Sequence, residues 1–278
     1  MVPTKEHTPH VPVTTEEILE DVAACRELGA SIIHVHARDE SGVPTHRAED
    51  FAPIIEGIRH IDPELIVCAT CSGRFVKSFE ERAEVLDLQG DAKPDMASLT
   101  LGSNNFARQA SVNSPEVIRG LAEAMRARDI RPELEVFEPG MVAFAGTLLE
   151  EGLIPSPCYF NILLGNPGTS PLDLKVLSSF LGLVPEGSTW ALAGIGRYQL
   201  DANAAGVVLG GHVRTGIEDN IRLDREGTEL ATNPKLVERV VKLADVVERP
   251  IATPSWTRER LGLPARGGLV EQAGLATA

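Results

Sequence analysis

The feature that most constrains the fold of this chain is a regular alternation of predicted strands and helices along its length. Seven short runs rich in β-branched and apolar residues alternate with longer amphipathic stretches. The predicted strands are residues 31–39, 65–71, 96–101, 134–137, 159–165, 190–195 and a last run that begins at Gly210. Strands that alternate with helices form a parallel sheet with right-handed crossovers, because each helix returns the chain to the same end of the sheet.

The spacing of these strands favours a closed barrel over an open sheet. Strands recur at roughly 20 to 40 residue intervals over the 278 residues, a length that one α/β barrel fills. No GxGxxG follows the first predicted strand and GxxxxGK[ST] is absent from the sequence. No linker or sequence repeat divides the chain. We therefore expect an α/β protein with one (β/α)8 TIM-barrel domain over residues 1–278 and a C-terminal helical extension.

An eight-stranded barrel needs one strand more than the sequence offers. The first predicted helix begins after Thr14, where Glu17 completes a capping box, and no strand pattern precedes it. Pro3, Pro9 and Pro12 lack the N–H that a strand donates, so the N-terminal arm is a poor substitute. We expect the first strand to be missing from this chain, with about ten further residues upstream in the natural gene. The first predicted strand should then have an open position beside it.

The charge and the cysteine content argue against several classes of function. A formal net charge of −14 disfavours nucleic acid and anionic membranes as partners. No signal peptide opens the sequence and no apolar run reaches the roughly 20 residues of a membrane span, so we expect a cytoplasmic location. Four cysteines are too few for a disulfide framework. Cys68 and Cys71 form a CxxC, but this spacing places them on opposite faces of a strand and disfavours a redox or zinc role.

Two histidines in the first predicted strand form a candidate metal site. His34 and His36 lie two residues apart, so they share one face of the strand with Arg38. Two such imidazoles can bind one metal ion, although core histidines hydrogen-bonded to the backbone give the same pattern. A carboxylate is the natural third ligand of a two-histidine site. The last predicted strand supplies one, because alternation places three residues on one face: His212, Arg214 and Glu218.

Polar residues end nearly every predicted strand. In an α/β barrel the active site lies at the carboxyl ends of the strands. A buried polar group costs free energy, so polar groups at most strand ends are more typical of a site than of a core. The residues at these positions are His34, His36, Arg38, Thr70, Ser72, Ser98, Thr100, Glu135, Asn161, Arg214, Glu218 and Asp219.

Segments along nearly the whole chain resemble one family of enzymes. They are PHVPVTTEE from Pro9, HVHARD from His34, KPDMASLT from Lys93, PELEVFEPGM from Pro132, AGIGRYQL from Ala193 and GGHVRTGIEDN from Gly210. With these segments the chain resembles the β-keto acid cleavage enzymes, typified by 3-keto-5-aminohexanoate cleavage enzyme. The resemblance implies a zinc-dependent TIM barrel that converts a β-keto acid and acetyl-CoA into acetoacetate and a new acyl-CoA.

The resemblance also implies roles for individual residues. The implied zinc ligands are His34, His36 and Glu218. Asp219 would be the general base, steered by Arg214. The implied substrate-binding residues are Thr70 and Ser98, to which the polar strand ends add Thr100, Glu135 and Asn161. Family members begin with a first strand whose end carries a substrate-selecting residue, and we expect this chain to start after it.

The expected activity is that of an acyltransferase that breaks a carbon–carbon bond. A metal bound to the keto oxygen and the carboxylate acidifies the carbon between them, and a base removes its proton. The carbanion attacks the acetyl-CoA thioester, so no serine or cysteine nucleophile is needed, and GxSxG is absent.

Two other functional classes are alternatives to an acyltransferase, and the sequence also gives an expectation for the assembly state. The chain could be a metal-dependent lyase of the class II aldolase type that uses no CoA, or a catalytically inactive metal-binding barrel. The apolar tail, residues 263–278, suggests burial against another subunit, and the family resemblance implies a homotetramer.

Overall fold

The structure is a computed structural model that describes residues 3–106 and 109–266. At its centre lies a curled sheet of parallel strands that neighbour one another in chain order. The strands are β1 (Ile32–Val35), β2 (Ile66–Ala69), β3 (Met96–Thr100), β4 (Arg131–Val136), β5 (Tyr159–Leu164), β6 (Thr189–Gly194) and β7 (His212–Val213). The seven predicted strands and their parallel pairing are therefore confirmed.

Helices connect these strands and cover the outer face of the sheet. They are α1 (Thr15–Glu27), α2 (Ala48–Ile61), α3 (Phe79–Ala83), α4 (Pro115–Ala127), α5 (Pro139–Glu150), α6 (Leu174–Leu183), α7 (Gln199–Val208), α8 (Asn233–Val246) and α9 (Pro254–Leu261). Two short hairpins follow β1 and β3, Ala37–Arg38 with Pro44–Thr45 and Asn104–Asn105 with Ala110–Ser111. None of the described helices has the length and apolarity needed to span a bilayer.

Local sequence explains where the helices begin and which face they bury. Helix α1 starts with the predicted capping box, in which the Thr14 side chain accepts from the Glu17 N–H and the Glu17 carboxylate accepts from the Thr14 N–H. Helix α2 buries Phe51, Ile55 and Ile58, whose spacing of three or four residues makes one apolar stripe. Such stripes form the main core between the helices and the sheet.

The inner face of the sheet has an apolar lower half and a polar upper half. Ile66, Met96, Tyr159 and Ala191 pack together near the amino ends of the strands, and Leu261 of α9 closes this end. Polar side chains lie above them, toward the carboxyl ends. Cys68 belongs to this inner cluster whereas Cys71 belongs to the outer core, which confirms that they lie on opposite sides of the sheet. Both are free thiols.

The sheet does not close, because β1 and β7 form its two edges and do not pair with each other. Between them lies a cleft of about 820 Å³, which we call the β1–β7 cleft. Helices α1 and α8 form its outer wall with apolar residues that include Ile18, Val22, Val237 and Val241. The expected open position beside the first strand is thus confirmed.

The N-terminal arm lines part of this cleft with Pro3, Val11 and Pro12, but it contains no strand within its described residues, 3–13. Its Val11 is buried against Ile217, Ala231 and Leu236, on the segment that follows β7 and on α8. The arm therefore lies beside the loop after β7 and does not pair with β1, as the proline content predicts.

One local prediction is wrong. The last strand ends at Val213, and Glu218 lies in a turn, so strand alternation does not explain its position. His212 lies beside Trp256, with 6.0 Å between ring centroids, and it lines the β1–β7 cleft as Arg214 and Glu218 do. The guanidinium of Arg38 donates to the carbonyl oxygens of Pro3 and Gly42, because the chain turns into a hairpin after β1.

Candidate metal and catalytic site

Two histidines and one glutamate converge at the carboxyl edge of β1 and β7. His34 lies in β1, His36 follows its end, and Glu218 lies in the turn after β7. One potential ligand atom from each of the three lies within 4.8 Å of the others. The His36 Nε2 atom is buried without a hydrogen-bond partner among the described residues, and it lies 3.3 Å from a Glu218 carboxylate oxygen. A buried imidazole nitrogen in this state fits a metal ligand.

Arg214 lies among four carboxylates beside these ligands. Its guanidinium nitrogens are 2.8 Å from Glu218, 3.0 Å from Glu135, 3.2 Å from Asp219 and 3.8 Å from Glu133. One guanidinium cannot neutralise four anionic groups in a site from which water is largely excluded. A divalent cation bound by the two histidines and Glu218 offsets much of this surplus negative charge. The donor set and the local charge therefore both fit a zinc ion.

Glu133 holds one of the histidines and was not identified from the sequence. Its carboxylate accepts from His34 Nδ1 at 2.7 Å and from Asn161 Nδ2 at 2.8 Å, and its side chain is 2% exposed. This contact occupies one ring nitrogen of His34 and leaves the other for a ligand. The signal was present in the sequence, because Glu133 alternates with Glu135 on β4 and must share its face.

A second grouping of possible ligands, His34, Cys68 and Glu133, is a hydrogen-bond network. The Cys68 Sγ–H donates to the Glu133 carboxylate across 3.4 Å, next to the His34 contact. Burial, and then the nearby Glu133 charge, raise the pKa of Cys68 well above its usual value, so the thiol stays protonated. A protonated thiol donates a hydrogen bond and does not bind zinc. Glu133 is thus a hydrogen-bond partner of the candidate ligand His34.

Asp219 has the environment of a buried base. Its carboxylate accepts from Arg214 Nε at 3.2 Å, and its side chain is 4% exposed. Burial raises the pKa of Asp219, against the lowering effect of Arg214. Burial alone would raise the pKa of Glu218 as well, but His36 and Arg214 hold it well below its usual value. The two neighbouring carboxylates therefore differ, one suited to take a proton and one to stay anionic.

A small cavity joins most of the sequence-predicted residues, and we call it the site cavity. The candidate ligands, Arg214 and Asp219 line it together with Thr70, Thr100 and Glu135. The Thr100 hydroxyl donates to the Glu135 carboxylate at 2.7 Å, which fixes both side chains. The site cavity has a volume of about 20 Å³, which holds one water-sized group.

Two of the predicted substrate-binding residues lie outside the site cavity. The Ser98 hydroxyl accepts from the Cys71 N–H at 3.0 Å and is not among the residues that line the cavity. Asn161 supports Glu133 from below and lines the β1–β7 cleft. Arg74 lines the site cavity but was not identified from the sequence.

Comparison with known proteins identifies relatives along the whole chain. The sequence profile of the beta-keto acid cleavage enzyme family matches residues 1–263. A 3-keto-5-aminohexanoate cleavage enzyme from Fusobacterium nucleatum is 40% identical over 262 residues, which cover 94% of this chain and 93% of the relative. A 3-oxoadipate:acetyl-CoA acetyltransferase from Cupriavidus necator is 37% identical over 268 residues, which cover 95% of this chain and 92% of the relative.

A solved structure supports the fold independently of sequence. The apo structure of ObcA superposes with a TM-score of 0.81 at 19% identity, over 92% of this chain and 66% of ObcA. This chain thus spans slightly less than two thirds of ObcA, and the likeness concerns the fold alone. The profile match and the two close relatives, on a fold whose strand ends bear the site described above, show that the chain belongs to the family of β-keto acid cleavage enzymes.

Proposed function

We propose that the chain is a zinc-dependent acyltransferase in which His34, His36 and Glu218 hold the metal and Asp219 is the base. Family membership makes the chain an enzyme that cleaves β-keto acids with acetyl-CoA as co-substrate. The observation that carries the assignment of the site is the convergence of these three ligands beside Asp219 and the surplus of carboxylates around Arg214.

The residues of the site divide the chemistry among them. Zinc, when bound, supplies Lewis-acid stabilisation of the negative charge that develops on the substrate oxygens. Asp219 takes the proton from the carbon between the keto group and the carboxylate. Arg214 holds Asp219 in place through Nε and limits the repulsion between the carboxylates. Thr100 and Glu135 form the adjoining wall, where we place the rest of the keto acid.

The bond changes balance without a further reactant. The carbanion attacks the acetyl carbonyl of acetyl-CoA, a carbon–carbon bond forms, and the CoA thiolate leaves. The thiolate then attacks the original keto carbon, the bond between that carbon and its neighbour breaks, and a new acyl-CoA forms. The electron pair of the broken bond takes up a proton as acetoacetate departs.

The cysteines of the chain do not offer an alternative nucleophile. Burial raises the pKa of Cys25 and of Cys71 to about 12, and that of Cys158 to about 11. These groups are therefore protonated at neutral pH, and a thiol attacks a thioester far more slowly than a thiolate does. Acyl transfer thus proceeds directly between the two substrates.

The assembly and the finer architecture belong to the same proposal. We assign residues 1–278 to one domain of the (β/α)8 type, whose described residues form seven of the eight strands and whose β1–β7 cleft lies at the position of the remaining one. We propose a homotetramer, and exposed apolar residues at the ends of α7 and α8, such as Val208 and Val246, support subunit contacts there. Four free thiols support a cytoplasmic location.

The test is a panel of β-keto acids incubated with the purified protein, with and without acetyl-CoA. We expect acetoacetate and a new acyl-CoA only when acetyl-CoA is present, and about one zinc ion per chain by elemental analysis. The His36→Ala variant should lose the zinc. Asp219→Asn should keep it but lower kcat by about 100-fold or more, because a positioned base contributes that much.

A surface carboxylate supplies the matched control for Asp219→Asn. Asp201→Asn, which changes a carboxylate paired with Arg225 on the surface, should retain full activity and zinc. Cleavage without acetyl-CoA would indicate a lyase of the class II aldolase type. Bound zinc without turnover of any keto acid would indicate an inactive metal-binding barrel.

A further inference from the structure

Arg74 is a desolvated cation without a partner in the wall of the site cavity. Its Nε and Nη1 atoms are buried and have no hydrogen-bond acceptor among the described residues. Among the residues that the structure describes, no carboxylate lies within ion-pair distance of the Arg74 guanidinium group. Arg214, the other arginine that lines this cavity, is by contrast surrounded by carboxylates. Buried N–H donors without an acceptor cost free energy, and no described residue supplies an acceptor to these two atoms. A bound molecule could therefore supply it.

The position of Arg74 is fixed by an aromatic ring. Its guanidinium carbon lies 3.8 Å from the centroid of the Phe106 ring, which is close contact for a cation over an aromatic face. This stacking holds the plane of the guanidinium group while its edge remains free to donate. A planar group with a free edge matches a carboxylate, which can accept two parallel N–H bonds.

The cavity itself limits what the acceptor can be. Arg74 shares the site cavity with His34, His36 and Glu218, so the acceptor must be part of the molecule that binds at these ligands. The cavity holds only one water-sized group, so its walls must move apart when a keto acid binds. The phosphates of acetyl-CoA are separated from its thioester by the long pantetheine arm and do not reach a closed cavity beside the reacting carbon.

We propose that Arg74 selects β-keto dicarboxylic acids by binding the carboxylate at the end of the acyl chain remote from the keto acid end. This inference rests on the proposed function, in which the keto group and the first carboxylate of the substrate lie at the metal ligands. The first carboxylate is thereby occupied, and a second anionic group is what Arg74 lacks. A neutral acyl chain leaves the donors of Arg74 unpaired and binds less well.

The experiment compares two six-carbon substrates that differ in one end group, 3-oxohexanedioate and 3-oxohexanoate. Values of kcat/KM with saturating acetyl-CoA, and calorimetric Kd values without it, are measured for the wild type and for Arg74→Gln. We expect the wild type to prefer the dicarboxylate. Arg74→Gln should lose about 100-fold on the dicarboxylate, as for truncation of one member of a buried charge pair, and little on the monocarboxylate.

Two further variants make the comparison specific. Arg74→Lys keeps the charge but loses the planar fork, so it should retain part of the preference. Arg119→Gln removes an arginine that stacks on Phe144 and pairs with Glu151 on the surface, and it should behave as the wild type. The KM for acetyl-CoA should stay unchanged in every variant.

The outcomes separate this inference from the proposed function. Equal loss on both substrates in Arg74→Gln would show that Arg74 binds the shared keto acid end, and it would overturn the inference. A change confined to the KM for acetyl-CoA would assign Arg74 to the CoA phosphates and would also overturn it. If neither substrate is turned over, the proposed function fails, and the calorimetric preference for the dicarboxylate still decides the role of Arg74.

Discussion

At the scale of single residues, the proposed metal site depends on groups that are not themselves proposed ligands. Glu133 accepts from His34 Nδ1 and is itself held by Asn161, so the imidazole is fixed from behind. A carboxylate in this position also makes the opposite ring nitrogen a better ligand. The identity of the ligands alone therefore does not set the affinity of the site.

We expect Glu133→Gln to weaken zinc binding while the fold is retained. The amide keeps the size of the side chain but removes the negative charge that polarises His34, and such changes lower metal affinity by about 10 to 100-fold. Competition with a chelator of known affinity measures the effect. Glu138→Gln is the matched control, because Glu138 follows the same strand but bonds to Ser170. An unchanged zinc Kd in Glu133→Gln would contradict the positioning role.

His46 is expected to make the protein less stable in mild acid. Burial first, and the nearby His36 and Arg82 after it, lower the pKa of His46 to about 4. Between pH 6.5 and this value the unfolded chain binds a proton at His46 and the folded chain does not. The free energy of unfolding therefore falls as the pH drops through this window, by at most about 3 kcal/mol.

Urea unfolding of the holoenzyme at several pH values between 7 and 4 tests this sign. The His46→Gln variant, which has no titrating ring, should lose less stability on acidification than the wild type, whatever its stability at pH 7. Parallel pH dependence in the two proteins would assign the acid sensitivity to other groups.

Some residues of the candidate site could be predicted from the sequence and others could not. Two of the proposed metal ligands follow from a short motif, because a strand places His34 and His36 on one face. Glu133 lies one alternation below Glu135 and follows from the same rule once β4 is recognised. Arg74 has no such signal. Its importance depends on which acceptors are missing around it, and that is a property of the folded cavity.

At the scale of elements, the two edge strands differ from those inside the sheet. The Ile66 and Thr70 N–H groups donate to the carbonyls of Ser31 and Val35, so alternate residues of β1 face β2. The backbone groups of Ile32 and His34 therefore face the β1–β7 cleft. Their amides have no strand to donate to among the described residues.

We expect amide hydrogen exchange to follow this alternation. Ile32 and His34 should exchange at least about 100-fold faster than Ile33 and Val35, because exchange from a free edge needs no opening of the sheet. Mass spectrometry with residue-level fragmentation, or NMR, measures these rates. Equal protection along β1 would show that another segment fills the cleft in solution.

The strand count was predictable and the end of the last strand was not. Alternation of apolar runs marks all seven strands, because burial on both faces demands them. Beyond Val213 the same alternation continues in the sequence, but the chain turns, and Glu218 reaches the ligands from that turn. A period of two in a short polar segment therefore does not distinguish a strand from a loop.

At the scale of the whole molecule, the ends of α7 and α8 carry the exposed apolar surface that we assign to subunit contacts. Val208 is 68% exposed and Val246 is 80% exposed. Arg249 donates to the carbonyls of Val207 and Gly211, which holds these two helix ends together as one surface. An apolar surface of this kind is typical of a subunit interface.

For the proposed homotetramer, light scattering should give a mass about four times the 29.8 kDa of one chain. Val246→Glu places a charge in the proposed interface and should shift the distribution toward smaller species. Leu174→Glu, at an exposed position on α6, is the control and should leave the mass unchanged. A wild-type protein that is monomeric at micromolar concentration would contradict the assignment.

The missing pairing between β1 and β7 also affects how the chain folds and unfolds. Every pairing in the sheet joins strands that are consecutive in sequence, so each forms by closing a single βα unit. A closed barrel adds a pairing between the first and last strands, the contact with the largest loop-closure cost in that fold. This sheet can instead grow and fray from both edges, as a repeat protein does. Because the two edges lead to His34 and Glu218, we expect fraying to dismantle the proposed metal site first, and catalysis to fail on heating before the rest of the protein melts.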